Sequence, residues 1–449
     1  MLLPTFTGDF GMLEKYKEST PGSRKLFDRA LCLFSGGVNH NLRTFGLTHS
    51  GAYPPFMRRG SGSHIWDVDG NEYIDWWMVH YSAILGHNYP KVIKAIRAQL
   101  ENGCHFGTLN EAQIEFGERL QKAIPSLAKM RFCSTGSEST MYAVRLARLY
   151  TKRPLVAKAL GGWHGGNDAL GYHLKYPFTD EPFFSGVSFD FNDRESVDAM
   201  MRKYGKDIAA VIVEPVLGAG GGLPPEQGFL PYLREETQKR GILLIFDEII
   251  TGFRLRYGSA GKTIFGVEPD LMTLGKIVAG GMPLGVYGGR EDVMSLAAPG
   301  ASGGRWVGGG TFSDHPLSMA AGVATLDVLQ SIENKYATLN RVGDRFRERV
   351  NDIFEQDKVS ALATGHGSIA FIHWLKHEAP SPPLTGRKIG EALDNDGLET
   401  FQSLLLEQGV LGYHGLGALS FVHSDKDIDS TLNAISVAAK EMKHLKGVR

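Results

Sequence analysis

Residues 270–285 read DLMTLGKIVAGGMPLG. An apolar run, Leu271 to Leu274, ends in Gly275, and Lys276 comes next. Ile277, Val278 and Ala279 follow, then the pair Gly280–Gly281. A solubilising lysine belongs on a polar helix face. This one stands where a buried run stops, so either it is a loop lysine in solvent or its amine is wanted inside a site.

The same pattern recurs upstream. KMRFC (129–133) leads into Ser134–Thr135–Gly136–Ser137, and LVAKAL (155–160) into Gly161–Gly162–Trp163–His164. IAAVIV (208–213) leads into Glu214, and ILLIF (242–246) into Asp247. Amphipathic segments such as ESTMYAVRLARLYT (138–151) and YLREETQKRG (232–241) separate the runs. Continuous apolar strands alternating with helices predict a doubly wound, mainly parallel α/β sheet covered on both faces. Ligands bind such sheets beyond the carboxyl ends of the strands. Five strand ends therefore supply a phosphate cradle, an aromatic ring with an imidazole, two carboxylates and a lysine.

The flanks read differently. Residues 14–33 and about 89–125 have helical spacing, and GSHIWDVDGNEYIDWW (62–77) alternates around Asp69–Gly70 as a hairpin. Beyond about 330 a helix through 339–354, strands at 368–375 and 417–423 and a last helix through 427–445 predict an α+β block. The expected organisation is an N-terminal segment, 1–85, contributing to a small domain, a large domain over 86–330, and a small C-terminal domain over 331–449.

Composition narrows the function classes. The chain has 449 residues, of which 42% are hydrophobic and 22% charged, as in an ordinary globular enzyme. Forty-eight basic residues against 49 acidic ones leave no basic excess for nucleic acid. Three cysteines without C-x-x-C spacing suit a reducing compartment. Neither a leader nor a membrane span is visible, so the expectation is cytoplasmic. RYGSAGKT (256–263) has Arg256 where a P-loop needs its first glycine, and GAGGGLPP (218–225) runs into prolines instead of a helix. No His/Cys spacing points to a metal.

A lysine amine can form a Schiff base with a carbonyl when its environment allows the neutral form. A cofactor aldehyde bearing a phosphate would use STGSEST (134–140), where a helix start offers free N–H groups beside Thr135 and Ser137. Asp247 could meet a protonated pyridine nitrogen, and Trp163 could stack on a flat ring. Taken singly, each residue has a plain structural role: a solvated lysine, a helix-capping STGSE, a core tryptophan. Their recurrence at successive strand ends describes pyridoxal 5'-phosphate.

At this point the sequence resembles the class III, fold-type I, pyridoxal-phosphate aminotransferases, near the glutamate-1-semialdehyde aminomutases and the β-amino-acid aminotransferases. The stretches that carry the resemblance include GGVNHNLR (36–43), IWDVDGNEYID (65–75), STGSEST, GGWHGG (161–166), VEPV (213–216), FDEIITGFR (246–254), PDLMTLGKIVAGGMPLGVYGGR (269–290) and GGGTFSDHPLSMAAG (308–322). The resemblance implies that Lys276 carries the cofactor and shuttles a proton, and that Asp247 pairs with the pyridine nitrogen. It further implies that Thr135, Gly136 and Ser137 hold the phosphate, that Trp163 and Ile249 cover the two ring faces, with His164 beside Trp163, and that Glu214 supports the ring or Asp247. Thr311 is expected to serve the phosphate of a neighbouring subunit, making a homodimer with shared sites. Arg43 looks like the arginine that meets a substrate carboxylate, with His40, His80, Tyr81 and His414 around it.

Some positions depart from the aminomutase pattern. His40 stands where a serine is usual, Gly415 where an acidic residue is usual, and Ala219 where an asparagine is common. By the same resemblance, His414 stands in place of an arginine of the β-amino-acid enzymes. These departures favour transamination between small-molecule amino and keto acids, with an intramolecular aminomutase as the alternative and a racemase on the same scaffold behind it.

Overall fold

The computed structural model describes residues 13–48, 51–180, 185–303, 305–306, 308–413 and 415–447. Seven strands form the central sheet: β4 (Lys129–Cys133), β5 (Leu155–Ala159), β6 (Val187–Phe189), β7 (Ile208–Val213), β8 (Leu243–Asp247), β9 (Leu271–Gly275) and β10 (Gly285–Gly289). In the chain, β1 (Met57–Ser61), β2 (His64–Asp67) and β3 (Glu72–Asp75) precede these strands, and β11 (Ala361–Thr364), β12 (Ile369–Trp374), β13 (Val410–Leu411) and β14 (Gly417–Ala418) follow them. The central order is β4-β10-β9-β8-β7-β5-β6. Only β10 runs against the rest, between β4 and β9. All five chemistry-bearing strands thus end on one edge, as expected.

The apolar runs are continuous because both faces are covered. Along β7 and β8, Ala210, Ile212, Leu243 and Ile245 face a core with the helix Gly136–Thr151. Val211, Val213, Leu244 and Phe246 face a second core with the helices Arg194–Tyr204 and Phe229–Lys239. That period-2 alternation with apolar residues on both sides is what a buried parallel strand requires.

The hairpin forms as read, β2 pairing antiparallel with β3. β3 then pairs in parallel with β13, tying the N-terminal segment to the C-terminal block. A single core joins Trp76, Phe116 and Leu274 to Ile372, Phe401 and Ile435, so no apolar boundary falls at residue 330. Three expectations are corrected. The helix over 14–33 breaks at Thr20–Pro21, because proline suits a helix start and not an interior. The helical stretch over 89–125 is interrupted between Asn102 and Glu111. Of the strand expected at 417–423, only Gly417–Ala418 pairs, with Ile369–Ala370.

Candidate active site

β9, β8, β7 and β5 are neighbours, so Lys276, Asp247, Glu214 and the Gly161–His164 loop line up in that order along the sheet edge. Asp247 closes β8 and accepts from Ile249 N at 3.1 Å and Thr273 Oγ1 at 3.2 Å. His164 Nδ1 lies 2.8 Å from Asp247 Oδ2. Burial lowers the His164 pKa even against the pull of Asp247, which favours a neutral ring donating its Nδ1 proton to the carboxylate. Asp247 is thereby aimed without being neutralised.

Lys276 has φ +48, and burial of its amine pulls the pKa down to about 8, opposed by Asp247 and Glu214. Its Nζ lies 6.0 Å from the centroid of the Tyr81 ring. Glu214 is fully enclosed. Burial first and Asp247 second push its pKa up to about 8, eased by N–H groups of Gly218 and Trp163 and by Lys276. Glu214 Oε2 accepts from Gly218 N at 3.1 Å, while Oε1 is buried without a partner. Glu214 therefore fastens the main chain at Gly218, while Trp163 remains 45% exposed at the site.

The cradle is the start of the helix Gly136–Thr151. Thr135 Oγ1 accepts from Glu138 N at 3.1 Å, and Glu138 Oε2 accepts from Ser134 N at 2.8 Å and Thr135 N at 3.0 Å, a capping box. The Thr135 hydroxyl is thus engaged in the cap, whereas the amides of Gly136 and Ser137 have no intrahelical acceptor. Ser137 Oγ accepts from Gly166 N at 3.1 Å, joining the cradle to the loop of Trp163. Ile249 packs between the cradle and Lys276: a Cβ on Gly136 would lie 2.7 Å from its Cδ1, and one on Gly275 3.6 Å from its Cγ2. A Cβ on Gly285 would stand 2.2 Å from the Thr135 carbonyl, so β10 can pass beside the cradle only as glycine.

The donor set fits a phosphorylated aromatic aldehyde. Two free helix amides suit a dianion, an enclosed carboxylate suits a ring nitrogen, and a lysine of lowered pKa suits the aldehyde. Buried atoms without partners, Glu214 Oε1, His164 Nε2 and Tyr81 Oη, surround the same enclosure.

The mouth is built by Met78–Tyr81. All four residues have positive φ, 43°, 54°, 57° and 68°, a left-handed turn without a glycine. It costs about 1–2 kcal/mol per residue. Asp75 holds it, accepting from Met78 N at 2.9 Å and lying 2.7 Å from His87 Nε2. The turn stacks His80 on Trp77 (centroids 4.3 Å apart) and sets His80 6.1 Å from His40. Phe45 and Tyr413 close the group around Trp77. His40 accepts from Leu42 N, and its pKa is lowered by burial and by Arg43. Arg43 is exposed and has no carboxylate partner among the described residues. His414 lies outside the described residues.

Thr311 is exposed, on a loop held by its own chain: Tyr142 Oη donates to the Gly309 carbonyl at 3.3 Å and accepts from its amide at 3.1 Å. A Cβ on Gly310 would lie 3.7 Å from Glu138 Oε1, so this loop comes close to the cradle of its own chain. Four contributors escaped the sequence reading. Lys158, inside LVAKAL, is buried and donates to the Gly162 carbonyl at 2.7 Å. Arg254 is buried behind Tyr81, and Asp75 and Thr273 each hold a site element. A charge inside an apolar run was the available signal for Lys158 alone.

The Aminotransferase class-III family model matches residues 48–438. The chain belongs to this family. It is therefore a pyridoxal-phosphate enzyme of fold-type I, as the strand ends indicated. This class-III chain is 37% identical to the glutamate-1-semialdehyde 2,1-aminomutase of Thermoplasma acidophilum, over 94% of this chain and 99% of that one. Among solved structures it resembles an omega-transaminase from Sphaerobacter thermophilus, with TM-score 0.86 and 30% identity over 96% and 100% of the two chains. A β-phenylalanine aminotransferase from Variovorax paradoxus gives 0.85 and 28%, over 96% of both. Among the described residues no helix is long and apolar enough to cross a membrane.

Proposed function

We propose that this class-III enzyme is a transaminase that takes the amino group of a carboxylate-bearing amino acid, α or β, with an apolar or aromatic side chain, and gives it to a keto acid. The observation that carries this reading is Gly415. Its φ is +81°, and a Cβ there would stand 2.3 Å from the Ile372 carbonyl. An acidic side chain, which the aminomutase resemblance places at this position, has no room without moving backbone.

When bound, the cofactor supplies an electron-withdrawing ring that weakens the bonds at the amine-bearing carbon of the substrate. Asp247, oriented by His164 and Thr273, holds the positive charge on the ring nitrogen. Gly136 and Ser137, on the frame set by Thr135, hold the phosphate. Trp163 and Ile249 bound the ring, and Glu214 holds the loop after β7 through the Gly218 amide. Lys276 is the group that bonds the cofactor and moves the proton, its Nζ already inclined to the neutral form. Arg43 takes the carboxylate. His40, His80 and Tyr81 border the side-chain pocket, whose aromatic walls suit an apolar or aromatic group.

The unit is a homodimer, with Thr311 serving the partner's phosphate. His105 packs on Phe312 with centroids 5.2 Å apart, joining two loops into one face. Phe106, Leu109 and Phe312 are exposed there at 48%, 81% and 55%, an apolar surface of the kind a second copy would cover.

The names of the curated relatives favour the second reading, an intramolecular aminomutase. Mixing the loaded enzyme with β-phenylalanine or phenylalanine separates the two. Transamination bleaches the yellow colour and releases one keto acid per site, and a keto acid then restores the colour. Unchanged colour with every ordinary donor, together with turnover of glutamate-1-semialdehyde, would favour the aminomutase.

A further inference from the structure

Arg254 has no solvent exposure and no carboxylate within ion-pair distance among the described residues. Its Nη2 donates to the Tyr81 carbonyl at 2.8 Å and its Nη1 to the Leu419 carbonyl at 2.9 Å, while Nε is buried without a partner. A buried charge normally brings its counter-ion with it, since an unpaired one is costly. Here the counter-charges nearest the enclosure, Asp247 and Glu214, face Lys276 instead. Among the described residues, two main-chain carbonyls from distant parts of the chain hold the guanidinium. One belongs to the left-handed turn at the mouth. The other follows β14.

We propose that Arg254 is the positioning residue of this site: through the Tyr81 and Leu419 carbonyls it clamps the turn Met78–Tyr81, so that the Tyr81 ring stands beside Lys276, and it places a buried positive charge behind that ring. The inference rests on Lys276 being the cofactor lysine, but not on the choice of reaction. The planar fork suits this double task, because two donors leave it in fixed directions. The groups facing Arg254 are Tyr81 on the turn and Tyr336 on the helix Tyr336–Asp357. Those facing Lys276 are Asp247, Glu214, Arg254 and the Tyr81 ring. Burial is the largest influence on Lys276, the two carboxylates oppose it, and Arg254 adds to it. Removing the Arg254 charge leaves the carboxylates less opposed and favours the protonated amine.

The full chain, prepared without cofactor, is labelled with trace acetic anhydride across a pH series, and Lys276 is read by peptide mass. Deuterium exchange of the peptide around residues 76–86 is read on the same samples. With Arg254→Gln, Lys276 labelling at neutral pH should fall at least about threefold, its midpoint moving up. Exchange at Ser82 and Ala83, whose amides bond the Met78 carbonyl, should quicken. With Arg254→Lys, labelling should stay near wild type while exchange still quickens, because charge is kept and the fork is lost. Equal labelling in wild type and Arg254→Gln would overturn the electrostatic role, and unchanged exchange in both variants would overturn the clamp. If Arg254→Gln fails to fold, Arg254→Lys decides the clamp and Arg254→Met replaces it for the charge. Neither readout involves an amino donor, so a failed transaminase assignment would leave these results standing.

Discussion

Glu214 shows how far burial can redirect one residue. Its carboxyl titrates near 4.5 when free and is pushed up to about 8 in the fold. Between those values the folded chain keeps a proton that the unfolded chain has shed. Its contribution therefore favours folding at low pH and is lost as pH rises through about 8. Glu214→Gln removes that dependence. In the cofactor-free protein, its stability relative to wild type should improve by roughly 1–4 kcal/mol between about pH 5 and about pH 8.5. Denaturant unfolding at the two pH values checks this, and a constant difference would mean that Glu214 is ionised throughout. The same residue illustrates what a sequence conceals. VEPV placed a carboxylate at a strand end, but nothing in it foretold that the Gly218 amide would share the load. Lys158 was harder still: LVAKAL reads as one continuous apolar strand, whereas the Lys158 amine is folded back onto the Gly162 carbonyl and its pKa is lowered to about 7 by burial.

The strands were legible where their composition was unambiguous, as in IAAVIV and ILLIF. β10 was not, because GVYGG reads as a glycine-rich loop; its glycines are there to let backbone pass the Thr135 and Asp270 carbonyls. The turn Met78–Tyr81 was equally hidden. A left-handed path is sought at glycine or asparagine, yet here a β-branched valine adopts it at φ 54°. Val79 is 45% exposed, so its side chain adds little packing to repay that conformation. Val79→Gly should therefore raise stability by roughly 1 kcal/mol, seen as a higher thermal midpoint. A fall in the midpoint would mean that the turn relaxes to right-handed geometry in solution.

At the scale of the whole molecule, the eight stretches quoted for the resemblance anticipated the family and the cofactor, because most of them lie at the strand ends that build the site. The proposed subunit interface rests on exposed apolar side chains of two loops, Phe106, Leu109 and Phe312. Leu109→Glu should convert a dimer to monomer in light scattering and weaken cofactor retention; a wild-type protein that is already monomeric would contradict the shared site. The reaction itself is decided by where nitrogen goes. A transaminase moves it onto a second compound that arrives as a keto acid, whereas an aminomutase needs no second compound: the same substrate leaves as an isomer with one amine on a different carbon. The loaded enzyme is given an amino acid carrying a heavy nitrogen isotope and an unlabelled keto acid, and both products are read by mass spectrometry. The account predicts the label in the amino acid formed from the keto acid, one nitrogen for each donor consumed. It would be contradicted if ordinary donors gave no transfer while labelled glutamate-1-semialdehyde became 5-aminolevulinate that retained its nitrogen with no acceptor added.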